Sequence, residues 1–324
     1  MDWRLNIKGV IILLFCSGWS TAQPSSILFD RYTIKNGLSN DNILAIHKDQ
    51  DGYVWVGTNF GLNQFDGHVF KQFFHDPDDP TSLCDNKINA IMPVGKNEIW
   101  IGTRLGICVF NKAIQKFEKI SLPDENSRSN REKEILDFYF DTIQQRIHIA
   151  THKGMFSALV FNKILEPYKD LSSDKFLTNA FIRTICKING NFWLGTHEGV
   201  VIYNFKDSTY KRIFTKTSNP TSFTDNNIQD IYQDYDGDIW IASWGSGLRL
   251  WNPLDSSFTD FIQDTTQYKV PVANITLEIG QTDYPDEKDL LWLASDNPSF
   301  SCFNKKTKKF TPFYSQSFLN NYTV

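Results

Sequence analysis

Trp55-Val56-Gly57-Thr58, Trp100-Ile101-Gly102-Thr103, His148-Ile149-Ala150-Thr151, Trp193-Leu194-Gly195-Thr196, Trp240-Ile241-Ala242-Ser243 and Trp292-Leu293-Ala294-Ser295 are six versions of one tetrad, spaced 45, 48, 45, 47 and 52 residues apart. A period of roughly 40–50 residues, rich in strand formers and aromatics, is the signature of a β-propeller. The first repeat shows the blade. Ile43-Leu44-Ala45-Ile46 reads as one strand, Tyr53 to Gly57 as a second, Leu62 to Phe65 as a third and Val69 to Phe74 as a fourth. Asp49-Gln50-Asp51-Gly52, Asn59-Phe60-Gly61 and Asp66-Gly67 are the turns between them. The expected fold is therefore all-β, a propeller of four-stranded antiparallel blades.

The Trp of each tetrad is first a packing residue. Trp55, Trp100, Trp193, Trp240 and Trp292 are expected to fill the wedge between blades, and the Gly or Ala two positions on to let adjacent sheets approach. His148 replaces Trp in repeat three, which predicts looser packing there. Repeat six carries an insertion, Gly280 to Asp289, between its first two strands. Outer strands recur as Phe117–Ile120, Tyr210–Ile213, Phe258–Phe261 and Phe310–Phe313.

The ends read differently. Arg4 and Lys8 precede the apolar run Val10 to Phe15, and Ser20-Thr21-Ala22 offers small residues for cleavage. Residues 1–22 are expected to be a secretory signal peptide, too short in its apolar part to span roughly 30 Å of hydrocarbon. The propeller would then occupy residues 23–324 in an exported, periplasmic protein with no membrane span after cleavage. Ile27 to Ile34 resembles a fourth strand with nothing before it, and Phe318 to Thr323 resembles the start of a first strand. The expectation is six complete blades plus an incomplete seventh, the segment 27–34 belonging to the closing blade, in a fragment of a longer chain.

Composition removes several function classes. The formal charge is −4, which gives nucleic acid no general reason to bind. Cys84, Cys108, Cys186 and Cys302 show no CxxC pair and no His at metal spacing, so no zinc site is expected. Export would permit disulfides, but the favoured reading is four separate small core residues. Asp49-Gln50-Asp51-Gly52 and Asp234-Tyr235-Asp236-Gly237-Asp238 look like shortened calcium loops, yet lack the twelve-residue frame and its final Glu. They are read as turns. Neither a Gly-x-Ser-x-Gly elbow nor a His-Glu-x-x-His helix occurs. No catalytic residue, metal or cofactor is expected.

In an up-down blade, the turns after the second strands lie on the same face as the crossovers between blades. The residue following each tetrad should recur on that face: Asn59, Arg104, His152, His197, Trp244 and Asp296. Imidazoles, a guanidinium, an indole, a carboxylate and an amide together suit a carbohydrate, since aromatic faces stack on sugar CH groups and polar groups bind hydroxyls. Trp244 is the leading candidate. Ordinary polar turn residues would give the same list.

The wording of the repeats is specific. Gly37-Leu38-Ser39-Asn40-Asp41-Asn42-Ile43, Asp49 to Thr58, and Gly61-Leu62-Asn63-Gln64-Phe65-Asp66-Gly67 closely resemble the two-component regulator propeller repeat. That resemblance covers about residues 27–324. It implies the periplasmic sensor region of a Bacteroides-type hybrid two-component system, sensing glycan breakdown products for polysaccharide-utilisation genes. Kinase, receiver and DNA-binding parts would lie in other domains of such a protein, which would be this chain's partners, together with an oligosaccharide ligand and a possible second copy. A secreted glycan-active lyase or hydrolase and a protein-interaction scaffold are the alternatives.

Overall fold

Each tetrad ends the second strand of a four-stranded antiparallel sheet, and six such sheets follow one another along the chain in the computed structural model. It describes residues 30–123, 129–168, 176–204, 207, 209–213, 227–245, 247–262, 276–282, 284–295 and 299–314. In every sheet, strand order in space is strand order in sequence. Blade 1 runs Ile43–Lys48, Val54–Thr58, Gly61–Phe65 and Phe70–Phe73, matching the strands read from its sequence to within two residues. The first strand of each blade packs against the first strand of the next, from Ile43–Lys48 through Ile88–Val94, Ile135–Asp141, Thr184–Ile188 and Ile228–Gln233 to Thr276–Gly280. These six are the inner strands. The arrangement is an all-β, six-bladed propeller.

The tetrads work as their chemistry requires. Trp55, Trp100 and Trp240 are fully buried, and Trp193 nearly so. Each lies in the apolar cluster of the following blade: Trp55 with Ile91 and Phe110, Trp100 with Phe138 and Phe156, Trp193 with Ile231 and Trp251, Trp240 with Ile279 and Phe303. The small residue is equally constrained. A Cβ on Gly57 would come within 2.6 Å of Ile88 Cγ2, on Gly102 within 2.7 Å of Ile135 Cγ2, and on Gly195 within 2.8 Å of Ile228 Cγ2. Gly is what lets the next inner strand come close.

Three expectations need correction. Packing at His148 is not loose. The ring is 3% exposed and meets Phe192 edge-on at 4.5 Å, while Tyr139 and Tyr168 crowd its other sides. Larger aromatics from neighbouring strands fill the volume an indole would take. The cysteines are not four separate core residues either. Cys84 and Cys108 are disulfide-bonded, with Cα atoms 6.0 Å apart, and only Cys186 and Cys302 are free among the described residues. The crossover into blade 2 turns back over that blade's third strand, Gly106–Asn111, and this brings Cys84 to Cys108. Thirdly, the described part of the strand expected over residues 27–34 is not a strand. Residues 30–33 form no strand, and Ile34–Asn36 is a 3-10 turn capped by Thr33, with Gly37 at φ 100°. Residues 27–29 and the segment Phe318 to Thr323 lie outside the described residues.

The two outermost blades differ from the rest. Ile43 and Ile46 are 43% and 56% exposed, whereas Ile88 and Ile91, at the same register in blade 2, are 0% and 6% exposed. Trp292 of blade 6 is half-buried and stacks on Phe300 of its own sheet, centroids 5.1 Å apart. The insertion Gly280 to Asp289 is present as expected, with a short 3-10 turn at Pro285–Glu287 between the first two strands.

Candidate functional site

The turn after each tetrad is built by the tetrad's own last residue. Thr58, Thr103, Thr151 and Thr196 each donate their hydroxyl to a carbonyl three residues on, at 2.8–2.9 Å. The same oxygens accept the N–H of the second turn residue. The following Gly, at φ 111° in Gly61 and 114° in Gly199, completes a tight reversal that most side chains disfavour. The turn's first residue is thereby held at a fixed angle. Its backbone N–H reaches the crossover into its own blade in Asn59, Arg104 and Trp244. Gly61 and Gly154 reach the crossover into the next blade. Turns and crossovers therefore share one face, as the up-down pattern requires.

On that face the expected residues fall into separate groups. His152 and His197 are brought together, but through Phe181, which sequence reading did not single out. The Phe181 ring centroid is 4.7 Å from that of His152 and 3.7 Å from that of His197. Below His152, Glu134 accepts hydrogen bonds from His152 Nε2 at 2.9 Å, Lys87 Nζ at 2.7 Å and Asn89 Nδ2 at 3.0 Å. Burial works to raise the Glu134 carboxyl, but these three donors and the Lys87 charge outweigh it and hold it at about 2. Glu134 is thus a fixed anion joining blades 2 and 3. Partial burial, with help from the Arg183, His152 and Arg131 charges, pushes His197 below the usual imidazole value. His197 accordingly presents a neutral ring to solvent near pH 7.

Arg104 is exposed and pairs through Nε with Asp85 Oδ2 at 3.1 Å. Asn59 is exposed on its turn, and Trp244 is half-buried. Among the described residues, Trp244 makes no ring contact or hydrogen bond with His152 or His197. Asp296 lies outside the described residues. The crossover residues Phe181 and Arg183 were missed because the crossovers vary in length, so no fixed spacing from a tetrad points to them.

A second layer, also missed, lies on the inner strands. Pairing across to the tetrad's small residue aligns Ala45, Ala90, Asp137, Thr184, Asp230 and Glu278 at one level. In five blades a β-bulge immediately precedes this position. Asp137 accepts the N–H of Phe138 at 2.7 Å and, across the blade boundary, of Ile185 at 2.8 Å. Asp230 repeats this with Ile231 at 2.8 Å and Ile279 at 2.9 Å. Burial pushes the Asp137 carboxyl up to about 7 against those N–H donors, and raises Asp230 in the same direction. Arg183 is the nearby cation, acted on by Asp137, Glu134 and Asp230.

The Asp-rich turns on the opposite face are occupied by protein. Asp49 accepts from Trp55 Nε1 at 2.9 Å and from Lys112 of the next blade at 2.8 Å, and Lys112 also reaches Asp51. Asp234 accepts from Trp240 Nε1 at 2.8 Å and from Lys305 at 2.7 Å, and Lys305 bonds Asp236 at 2.6 Å. A lysine ammonium stands where a cation would be sought. Among the described residues, no group of three or more His, Cys, Asp or Glu is placed to hold a metal ion.

Comparison with known proteins agrees with this architecture. Residues 37–60 and 222–245 match the repeat described as Two component regulator propeller. Histidine kinase P4 of Formosa agariphila is 27% identical over 253 residues, covering 76% of this chain and 18% of that protein. The extracellular domain of the hybrid two-component system BT3049 from B. thetaiotaomicron superposes with a TM-score of 0.71 at 22% identity, over 91% of this chain and 37% of that one. The extracellular domain of the one-component system BT4673 from the same organism gives 0.53 at 17%, over 79% and 37%. The chain thus spans well under half the length of these relatives, and the structural likenesses establish the fold alone.

Proposed function

We propose that this chain, a propeller carrying two-component regulator repeats, is the exported ligand-sensing part of a longer signalling protein. Its ligand is an oligosaccharide, held on the face formed by the post-tetrad turns and the crossovers. The observation that carries this reading is the series His152–Phe181–His197 beside the Glu134–Lys87 pair. Half-buried and exposed rings offer CH-stacking surfaces, and the fixed anion with its cation offers hydroxyl partners. The chain is read as non-catalytic. Kinase and transcriptional output belong to other domains of the full protein, and export places this part in the periplasm.

The test is a binding screen of the purified chain against short neutral and acidic oligosaccharides, read by calorimetry. A binder is expected, and Phe181→Ala is expected to weaken it about tenfold, about 1.4 kcal/mol. A screen in which no oligosaccharide binds contradicts the sensor reading. Release of new reducing ends would favour a glycan-active enzyme instead.

A seventh blade, incomplete within this chain, belongs to the same proposal. Support comes from the exposed Ile43 and Ile46 on one flank and half-buried Trp292 on the other, since equivalent residues are buried wherever a neighbouring blade exists. In a longer polypeptide that supplies the missing strands, Trp292 fluorescence is expected to shift to the blue. An unchanged spectrum would count against a blade at that flank.

A further inference from the structure

The axial layer holds three carboxylates, Asp137, Asp230 and Glu278, on the inner strands of blades 3, 5 and 6, with Thr184 of blade 4 between them. They are close enough to act on one another. Asp230 affects both Asp137 and Glu278, and Asp137 affects Glu278. Arg183, from the crossover into blade 4, is acted on by Asp137, Asp230 and Glu134, and Cys186, on the inner strand of blade 4, by Asp230 and Asp137. Blades 1 and 2 contribute Ala45 and Ala90 at this level. One guanidinium therefore stands against Asp137, Asp230 and Glu134, while Glu278 faces only its fellow acids.

Two of the three carboxylates also fasten blades together. Asp137 bonds the Ile185 N–H, and Asp230 bonds the Ile279 N–H, each on the following inner strand. Charge on this layer and cohesion of the ring are thus carried by the same atoms.

We propose that the axial layer is a proton-linked clamp: protonated, it holds blades 3 to 6 around Arg183, and stripped of protons, its mutual repulsion loosens the same blades. Arg183 acts on both Asp137 and His197, so it connects the clamp to the face where the ligand is placed in the reading above. The clamp itself rests on the inner-strand geometry and stands or falls separately from that reading.

The direction follows from linkage. Asp137 titrates near 7 when folded and near 4 when unfolded, and Glu278 is likewise pushed up to about 7 by desolvation and by Asp230 and Asp137. The folded chain keeps protons that the unfolded chain has lost. Stability from these groups is complete below about pH 4 and is lost as pH rises through about 7. The Glu278 side chain is more exposed than that of Asp137, so solvent screening makes its share the smaller.

Thermal unfolding of the full chain from pH 5 to pH 8 tests this, comparing wild type with Glu278→Gln and Asp137→Asn. Glu278→Gln removes a charge without touching either fastening. Its melting temperature is expected to exceed wild type only slightly at pH 5 and by about 2 °C at pH 8. Asp137→Asn loses a fastening and melts lower throughout, yet its deficit shrinks as pH rises. Differences that stay constant across the range in both variants, or widen with pH for Asp137→Asn, overturn the clamp.

Discussion

Trp240 and Gly195 show how much a single position carries. The Trp240 ring is fully buried among Ile279, Leu291, Leu293 and Phe303 of the next blade, with its N–H bonded to Asp234. Trp240→Ala removes that volume and leaves a cavity, so a loss of about 3–5 kcal/mol in chemical denaturation is expected. Gly195 lies under the next blade instead. Any β-carbon there would sit 2.8 Å from Ile228 Cγ2 of the next inner strand, and 2.5 Å from Thr184 Cγ2 of its own blade. Gly195→Ala is expected to cost about 1–3 kcal/mol through overpacking, although Ala is the better strand residue by propensity. Equal stability of wild type and Gly195→Ala would mean that the blades separate freely. The sequence made both residues legible, since the tetrad pairs a large ring with a small neighbour at a fixed offset. His148 was misread because its volume is made up by Tyr139, Tyr168 and Phe192, which no local pattern announces.

At the level of elements, neighbouring blades are joined by lysine clasps. Lys305 reaches from the last turn of blade 6 to Asp234 and Asp236 on the first turn of blade 5. Burial works against the Lys305 charge, but its two aspartate partners more than offset this and hold the ammonium above its usual value. Asp234 is fully enclosed, so Lys305→Ala strands a buried carboxylate and is expected to cost on the order of 3 kcal/mol. Lys306, 70% exposed against Asp289, is the control, and its loss should cost about 0–1 kcal/mol. Similar costs for the two would contradict the clasp. Turns and strands were readable here because Asp-x-Asp-Gly fixes a reversal locally. The clasp was not, because its lysine comes from a different blade. The Cys84–Cys108 link was hidden because 24 residues separate the pair, and only the path of the crossover brings them together. Reduction of that bond is expected to lower stability by about 3 kcal/mol on loop-closure grounds, measurable as a lower melting temperature with a thiol reductant. An unchanged melting temperature would show the loop to be held by its other contacts.

Across the whole molecule, repetition decides the architecture and variation between repeats decides the chemistry. The repeats place equivalent residues at equivalent heights, which is why six blades and the face shared by turns and crossovers could be read from spacing alone. What differs from blade to blade, such as Phe181 in a crossover or acids on only some inner strands, has no periodic signal. His152 and His197 were found by period, whereas the ring that joins them was found only by structure. Propellers of this kind host many activities, so fold by itself leaves the role undecided. A crystal of the chain soaked with an oligosaccharide that binds in calorimetry gives the most direct test of the sensor reading. The account predicts a sugar ring stacked on Phe181 or His197 between blades 3 and 4, with hydroxyls directed to Glu134 or Lys87. Sugar bound instead on the opposite face, at the Asp49 or Asp234 turns, would contradict it.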